Sequence, residues 1–215
     1  MSDAPIVIAI DGPSASGKST VARCVAKAIG FVYVDTGAMY RMVSWLALQK
    51  QVALNDDAAI LSLVEATKIE FKLCEGCVQM WVNGYYPQKE IRTAEVSAAV
   101  PEVAKLRKLR AWVVEHQRAM TQFGSLVMEG RDIGSVVFPK TPHKFYLDAS
   151  PEVRTQRRHV KDGVKELLAV RDQHDSSRAV SPLKIADGAK VIDSSSLTVE
   201  QVVEVILAKV KGKLA

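Results

Sequence analysis

The chain opens with an unbroken apolar run, Ile6-Val-Ile-Ala-Ile10, that stops at Asp11 and Gly12. A short run without alternation predicts a strand buried on both faces, as in the middle of a parallel sheet. A helical pattern follows over residues 18–29, and Gly30 stands where a left-handed C-terminal cap belongs. Residues 31–34 predict a second strand, 38–49 a helix, and 57–66 a shorter helix started by Asn55 or Asp56. The pattern then changes. Residues 68–87 hold Ile69-Glu-Phe71, Val78-Gln-Met-Trp-Val82 and the turn signals Glu75-Gly76 and Asn83-Gly84. That predicts a small antiparallel sheet inserted between helices. Thr93 caps a helix starting at Ala94, which Pro101 is expected to break. A longer helix over 102–122 then carries Leu106, Leu109, Val113, His116 and Met120 as its apolar stripe and ends at Gly124.

The strand–helix rhythm returns after Gly124. Strands are predicted at 126–129, 144–147 and 190–192. Ser150-Pro151 opens a basic helix through Arg158, and Thr198 with Gln201 forms a capping box for a last helix over 199–209. Strands alternating with helices predict an α/β fold: a five-stranded parallel sheet covered on both faces, plus the small antiparallel insert.

Composition narrows the function. The 215 residues suit one domain, and 48% hydrophobic with 25% charged residues is ordinary for a globular protein. No apolar run approaches the roughly 18 residues that span a bilayer, and the N-terminus lacks the basic start of a secretory signal. The expected location is the cytoplasm, with no membrane partner. A net charge of +5 predicts anionic partners. The arginines are scattered, at 41, 92, 110, 131, 157, 158, 171 and 178, so they suit convergence on one pocket better than a nucleic-acid-binding arm. Cys74 and Cys77 form a C-x-x-C, but they flank Glu75-Gly76 and are read as the ends of a hairpin turn rather than as a metal or redox motif.

The sharpest signal is Gly12-Pro13-Ser14-Ala15-Ser16-Gly17-Lys18-Ser19, with Thr20 just beyond. It matches the phosphate-binding G-x-x-x-x-G-K-[ST] loop, in the required place between an apolar strand and a helix. Such a loop turns backbone N–H groups and a helix N-terminus onto phosphate oxygens. Lys18 is the cation for the β- and γ-phosphates of ATP, and the Ser19 hydroxyl suits Mg²⁺. A GTPase should carry N-K-x-D, yet both asparagines, Asn55 and Asn83, lack a following lysine. A kinase with an anionic acceptor is the better reading.

Candidate acceptor residues follow other strands, where ligands of open α/β sheets sit. They are Asp35-Thr36-Gly37-Ala-Met-Tyr40-Arg41 and Gly130-Arg131-Asp132-Ile-Gly134. Arg171, Asp175 and Arg178 share one face at helical spacing. These segments, with Glu90-Ile-Arg-Thr93 and the stretch Val136-Val-Phe-Pro139, resemble the bacterial cytidylate kinases over nearly the whole chain. The resemblance implies ATP-dependent phosphorylation of CMP and dCMP by direct in-line transfer, with small nucleotides as the partners, no nucleic acid, and a monomer. It implies a core of 1–35, 98–150 and 179–215, an acceptor-binding insert of 36–97 and a lid of 151–178. It places Thr36, Arg41, Arg131 and Arg178 at the acceptor phosphate and Arg110 and Asp132 at the cytosine edge, with Asp35 among the substrate-binding residues. Arg171 and Asp175 fall near the ribose and the phosphates in transit, and Arg157 is the lid candidate for ATP. Lys18, Arg131, Arg171 and Arg178 are then the catalytic cations. Two departures stand out. Pro101 replaces a serine common in the family, and only twelve residues separate Arg158 from Arg171.

Overall fold

In the computed structural model, which describes residues 4–162 and 183–214, strand β1 (Val7–Asp11) is buried along its whole length. Its side chains alternate between two cores. Val7 and Ala9 enter one, and Ile8 and Ile10 enter the other. Successive strand residues point to opposite faces, so an all-apolar strand needs cover on both. Helices α1 (Lys18–Ile29) and α7 (Val199–Leu214) supply one layer. Helices α2 (Thr36–Gln49), α3 (Asp57–Ala66) and α5 (Arg107–Ala119) supply the other. The remaining strands are β2 (Val32–Asp35), β3 (Ile69–Cys74), β4 (Cys77–Val82), β5 (Leu126–Gly130), β6 (His143–Asp148) and β7 (Lys190–Asp193). Among the described residues no helix is long and apolar enough to cross a membrane.

Among the described residues the sheet has seven strands in the order β3-β4-β2-β5-β1-β6-β7. This corrects the expectation of a five-stranded sheet with a separate antiparallel insert. The β3–β4 hairpin is antiparallel within itself, but β4 joins β2 in parallel through the pair Tyr33 and Cys77. The reason is the edge of β2, whose N–H groups require acceptors. Gly76 in the hairpin turn supplies one, accepting from the Tyr33 N–H at 2.9 Å. One mixed sheet results.

A second correction concerns Pro101. Helix α4 (Ala94–Val103) runs through it. The proline lies in the last turn, where the lost N–H interrupts little. The ladder resumes at once, the Ala104 N–H donating to the Val100 carbonyl at 2.8 Å. Burial of Val96, Ala99 and Val103 holds the turn in place. The break comes at Leu106, extended at φ −68° and ψ 119°, and α5 starts after it. The start of α5 is capped from a distance: Asp57 accepts from the Lys108 N–H at 2.9 Å and the Leu109 N–H at 3.1 Å. The predicted capping box of α7 forms, with the Thr198 N–H donating to Gln201 Oε1 at 2.9 Å and the Gln201 N–H donating to Thr198 Oγ1 at 3.3 Å.

Strand order positions the site. β1 lies between β5 and β6: the crossover from β1 leads to β2 on one side, and the connection from β5 passes β1 to reach β6 on the other. The carboxyl end of such a strand is the switch point where α/β sheets bind ligands. Register brings the strand ends level: Asp11 pairs with Gly130, and Glu129 pairs with Asp35.

Candidate active site

The loop after β1 is shaped by close approach. Gly12 has φ 150°, and a Cβ there would lie 2.0 Å from the Leu147 carbonyl oxygen. Only glycine fits. Lys18 opens α1 and is buried. Its ammonium donates to the Pro13 carbonyl at 2.7 Å, which holds it across the mouth of the loop. The positive end of the α1 dipole adds to that charge.

Asp11, the last residue of β1, ties this loop to the one after β5. Its carboxylate accepts from the Ile133 N–H at 2.9 Å and the Gly134 N–H at 2.8 Å. Both amides belong to a π-helical turn, Ile133–Val137, that starts beside Asp132. Burial pushes the Asp11 carboxyl up to about 6, opposed by the two amides and Lys18 and assisted by the charge of Asp132. A folded-state value above the ordinary 3.8 means that the fold holds this proton more tightly than the unfolded chain does. At this group, stability is therefore gained below about pH 4 and lost as pH rises through about 6. In an Asp11→Asn protein the amide does not titrate. The unfolding free energy of the unaltered protein, relative to Asp11→Asn, is expected to rise by roughly 2–3 kcal/mol as pH falls across that window. Urea denaturation of both proteins at either end of the window measures it, and a constant difference would contradict a buried charge at Asp11.

Helix α6 (Pro151–Asp162) is fastened to the phosphate loop by arginines. Arg154, buried, donates through Nε to the Ala149 carbonyl at 3.0 Å and through Nη1 to the Ser14 carbonyl at 3.4 Å. Arg157 donates to the Ser194 carbonyl at 2.8 Å, to Ser194 Oγ at 3.0 Å and to the Ser16 carbonyl at 3.4 Å. Ser194 Oγ itself donates to the Ser16 carbonyl at 3.1 Å. The loop carbonyls of Ser14 and Ser16 are thus occupied.

Across the cleft stands a second set. Asp35 caps α2 by accepting from the Ala38 N–H at 3.0 Å and pairs with Arg41 at 2.7 Å and Arg92 at 3.6 Å. Burial opposes its charge, but the guanidinium groups of Arg41 and Arg92 and the Ala38 amide hold the carboxyl below its usual range. Thr36 Oγ1 donates to the Glu129 carbonyl at 2.6 Å. Tyr33 donates its hydroxyl to the buried Glu129 carboxylate at 2.8 Å, and burial with that neighbouring charge raises the phenol. Gly130 lets this corner close, since a Cβ would lie 2.7 Å from both Thr36 Oγ1 and Ile133 Cδ1. Deeper, Arg110 and Asp132 form a tight ion pair, 3% and 6% exposed. Arg110 also donates to the Ala104 carbonyl at 3.3 Å and lies over the Tyr40 ring at 5.6 Å.

One cleft of about 1450 Å³ gathers most of the predicted residues. Ser14, Ala15, Ser16, Gly17, Lys18, Ser19, Thr20 and Arg157 line one wall, and Asp35, Thr36, Arg41, Arg110, Arg131 and Asp132 line the other. Gly12 and Pro13, at the start of the loop, do not line the cleft. Pro101 lines the acceptor wall near Ser97 and Ala104. Arg171, Asp175 and Arg178 lie outside the described residues. The sequence reading missed Asp11, Tyr33, Glu129, Arg154 and Ser194. Asp11 and Glu129 carried a signal, each being a charged residue at the end of an apolar strand. Arg154 and Ser194 carried none.

The residues suit a magnesium ion. Ser19, in the first turn of α1, is half-buried and lines the cleft. A single hydroxyl with phosphate oxygens and water is an ordinary Mg²⁺ ligand set.

Comparison with known proteins agrees with this geometry. A sequence model described as cytidylate kinase matches residues 8–212. The cytidylate kinase of Geobacillus sp. (strain WCH70) is 45% identical over 219 aligned positions, covering 97% of this chain and 98% of that one. The cytidylate kinase of Bacillus cereus (strain ATCC 10987 / NRS 248) is 43% identical over 223, covering 99% of each. Among solved structures, a shikimate kinase from Acinetobacter baumannii in complex with shikimate aligns over 97% of this chain and 94% of its own at TM-score 0.50 and 14% identity, a likeness of fold alone. A full-length match at this identity, joined to a phosphate loop facing an arginine-lined acceptor wall, makes the chain a member of the cytidylate kinase family.

Proposed function

We propose that the protein transfers the terminal phosphoryl group of ATP to CMP and dCMP, giving CDP and dCDP, with the residues of the one cleft in the following roles. The observation that carries this reading is the buried Arg110–Asp132 pair on the wall opposite Lys18. A guanidinium donor beside a carboxylate acceptor matches the N3 acceptor and N4 amine of cytosine. The loop amides and Lys18 bind the donor phosphates. Arg41 and Arg131, with Thr36, hold the acceptor phosphate, and Asp35 fixes Arg41. Arg178 is assigned with them to the acceptor phosphate, and Arg171 and Asp175 to the ribose and the phosphates in transit, the chain being divided into a lid of 151–178, a core of 1–35, 98–150 and 179–215 and an acceptor insert of 36–97.

Magnesium, held through Ser19 and the phosphates, would neutralise charge on the donor chain. The protein's own share is positioning and charge stabilisation. No general base is assigned, because an acceptor phosphate is already ionised near neutral pH. The protein is proposed to work as a cytoplasmic monomer without nucleic-acid partners. A coupled ADP-release assay across the common nucleoside monophosphates tests the reading. CMP and dCMP are expected to give the highest kcat/KM, and a faster reaction with GMP or dTMP would overturn it.

A further inference from the structure

The C-x-x-C at residues 74–77 is not used by the proposed reaction. In the folded chain Cys74 and Cys77 are direct cross-strand partners at the end of the β3–β4 hairpin. The two residues between them, Glu75 and Gly76, both have positive φ, 49° and 72°. That is the tight two-residue turn whose twist matches a hairpin. Directly opposed residues project from the same face, and their Cα atoms stand about 4.5–5.5 Å apart. Disulfides span Cα separations of about 4.4–6.8 Å. Both cysteines are half-buried free thiols lining one small cavity of about 170 Å³ beneath the hairpin. Arg23 donates to Cys77 Sγ at 3.6 Å, placing a cation against the sulfur.

The pair also sits on the seam between hairpin and main sheet. Cys77 is the residue that registers with Tyr33, and Gly76 accepts the Tyr33 N–H at 2.9 Å. The Arg23 guanidinium that touches Cys77 lies 4.5 Å over the Tyr33 ring. From Tyr33 the hydroxyl reaches Glu129, whose carbonyl holds Thr36, and Asp35 ends the same strand. The seam and the acceptor wall are therefore linked by hydrogen bonds, one cation–π contact and the backbone of β2.

We propose that Cys74 and Cys77 form a reversible dithiol–disulfide site that acts on acceptor binding; the acceptor being CMP rests on the function proposed above. The oxidant class is a hydroperoxide. Cys77 sulfur attacks the peroxide O–O bond, forming a sulfenic acid and releasing water or alcohol. Cys74 sulfur then displaces the second water, forming the S–S bond. The thiols lose two protons and two electrons, and the peroxide is reduced. Because the bridge closes over only two intervening residues, it removes little chain entropy. Oxidation draws the Cys77 sulfur towards Cys74 and away from Arg23, which disturbs the Tyr33 seam.

The experiment uses the full chain with Cys24→Ser, which removes the exposed third thiol. The protein is treated with hydrogen peroxide and digested with trypsin. The peptide 73–89, which contains both cysteines, is expected to become lighter by the mass of two hydrogen atoms, and dithiothreitol should restore it. Added oxygen on the two sulfurs without that loss would overturn the proposal. In the kinase assay, the oxidised protein is expected to show a KM for CMP raised about threefold or more, with KM for ATP unchanged. Cys74→Ser and Cys77→Ser should fold, show ordinary KM values and ignore peroxide. A fully oxidised protein with an unchanged KM for CMP would overturn the action on the acceptor site. The peptide mass does not depend on the substrate, so a wrong substrate assignment and a failed disulfide give different results.

Discussion

The Lys18→Met protein is expected to fold and to turn over at least about a thousandfold more slowly than the unaltered enzyme. Methionine fills a similar volume, so the burial at the start of α1 survives. What disappears is the ammonium that the Pro13 carbonyl holds across the loop mouth at 2.7 Å. The arginines fastened to this loop do not replace it. Arg154 and Arg157 donate to the loop carbonyls of Ser14 and Ser16. Charge developing on a transferring phosphoryl group would then lack its nearest fixed cation, and such a cation contributes about 10³-fold or more. Steady-state ADP release at saturating CMP and ATP measures kcat, while a circular dichroism melt checks the fold. Turnover within tenfold of the original would remove Lys18 from the mechanism.

Asp132→Asn is expected to narrow the ratio of kcat/KM for CMP over UMP by about tenfold to a hundredfold. Asp132 Oδ2 is engaged by Arg110, so the carboxylate is held in one orientation with its other oxygen left for the base. A fixed acceptor suits the N4 amine of cytosine and meets the O4 of uracil as acceptor against acceptor. An amide turns either face to the base and loses that preference. The usual serine of the family is absent, because Pro101 stands on this wall and its side chain neither donates nor accepts. Discrimination is therefore expected to rest more heavily on Asp132 and Arg110 than is usual in the family. The same change leaves the Arg110 charge buried without its counter-ion, so unfolding stability should fall by about 3–5 kcal/mol. Kinetics with both substrates in one buffer, with a urea melt, give the two readings. A preserved ratio with lowered stability would confine Asp132 to holding Arg110.

How much of this was legible beforehand depended on sequence distance. The phosphate loop was fully legible, because every part of it is local: strand, glycine turn and helix start within one stretch. Thr93 as the α4 cap and the Thr198–Gln201 box were legible for the same reason. Ion pairs between distant segments were not legible from local pattern, and Arg110 and Asp132 were placed together only through the family resemblance, without their geometry. Arg110 and Asp132 lie 22 positions apart and meet only because α5 packs beside the end of β5. The Arg154 and Ser194 anchors are further apart still, and nothing in their neighbourhoods marks them.

By itself, then, the sequence determined the element types, the two-sided burial of the central strand and the phosphate chemistry, since periodicity and turn residues act over a few positions. Folding in three dimensions decided the rest. It merged the hairpin with the main sheet, because the edge of β2 needed partners. It carried α4 through Pro101, because buried Val96, Ala99 and Val103 outweighed one lost hydrogen bond. It made Asp11 a buried clamp between two loops, because strand register sets it level with Gly130. Each outcome depends on which distant groups come within hydrogen-bonding reach, and local pattern holds no information about that distance.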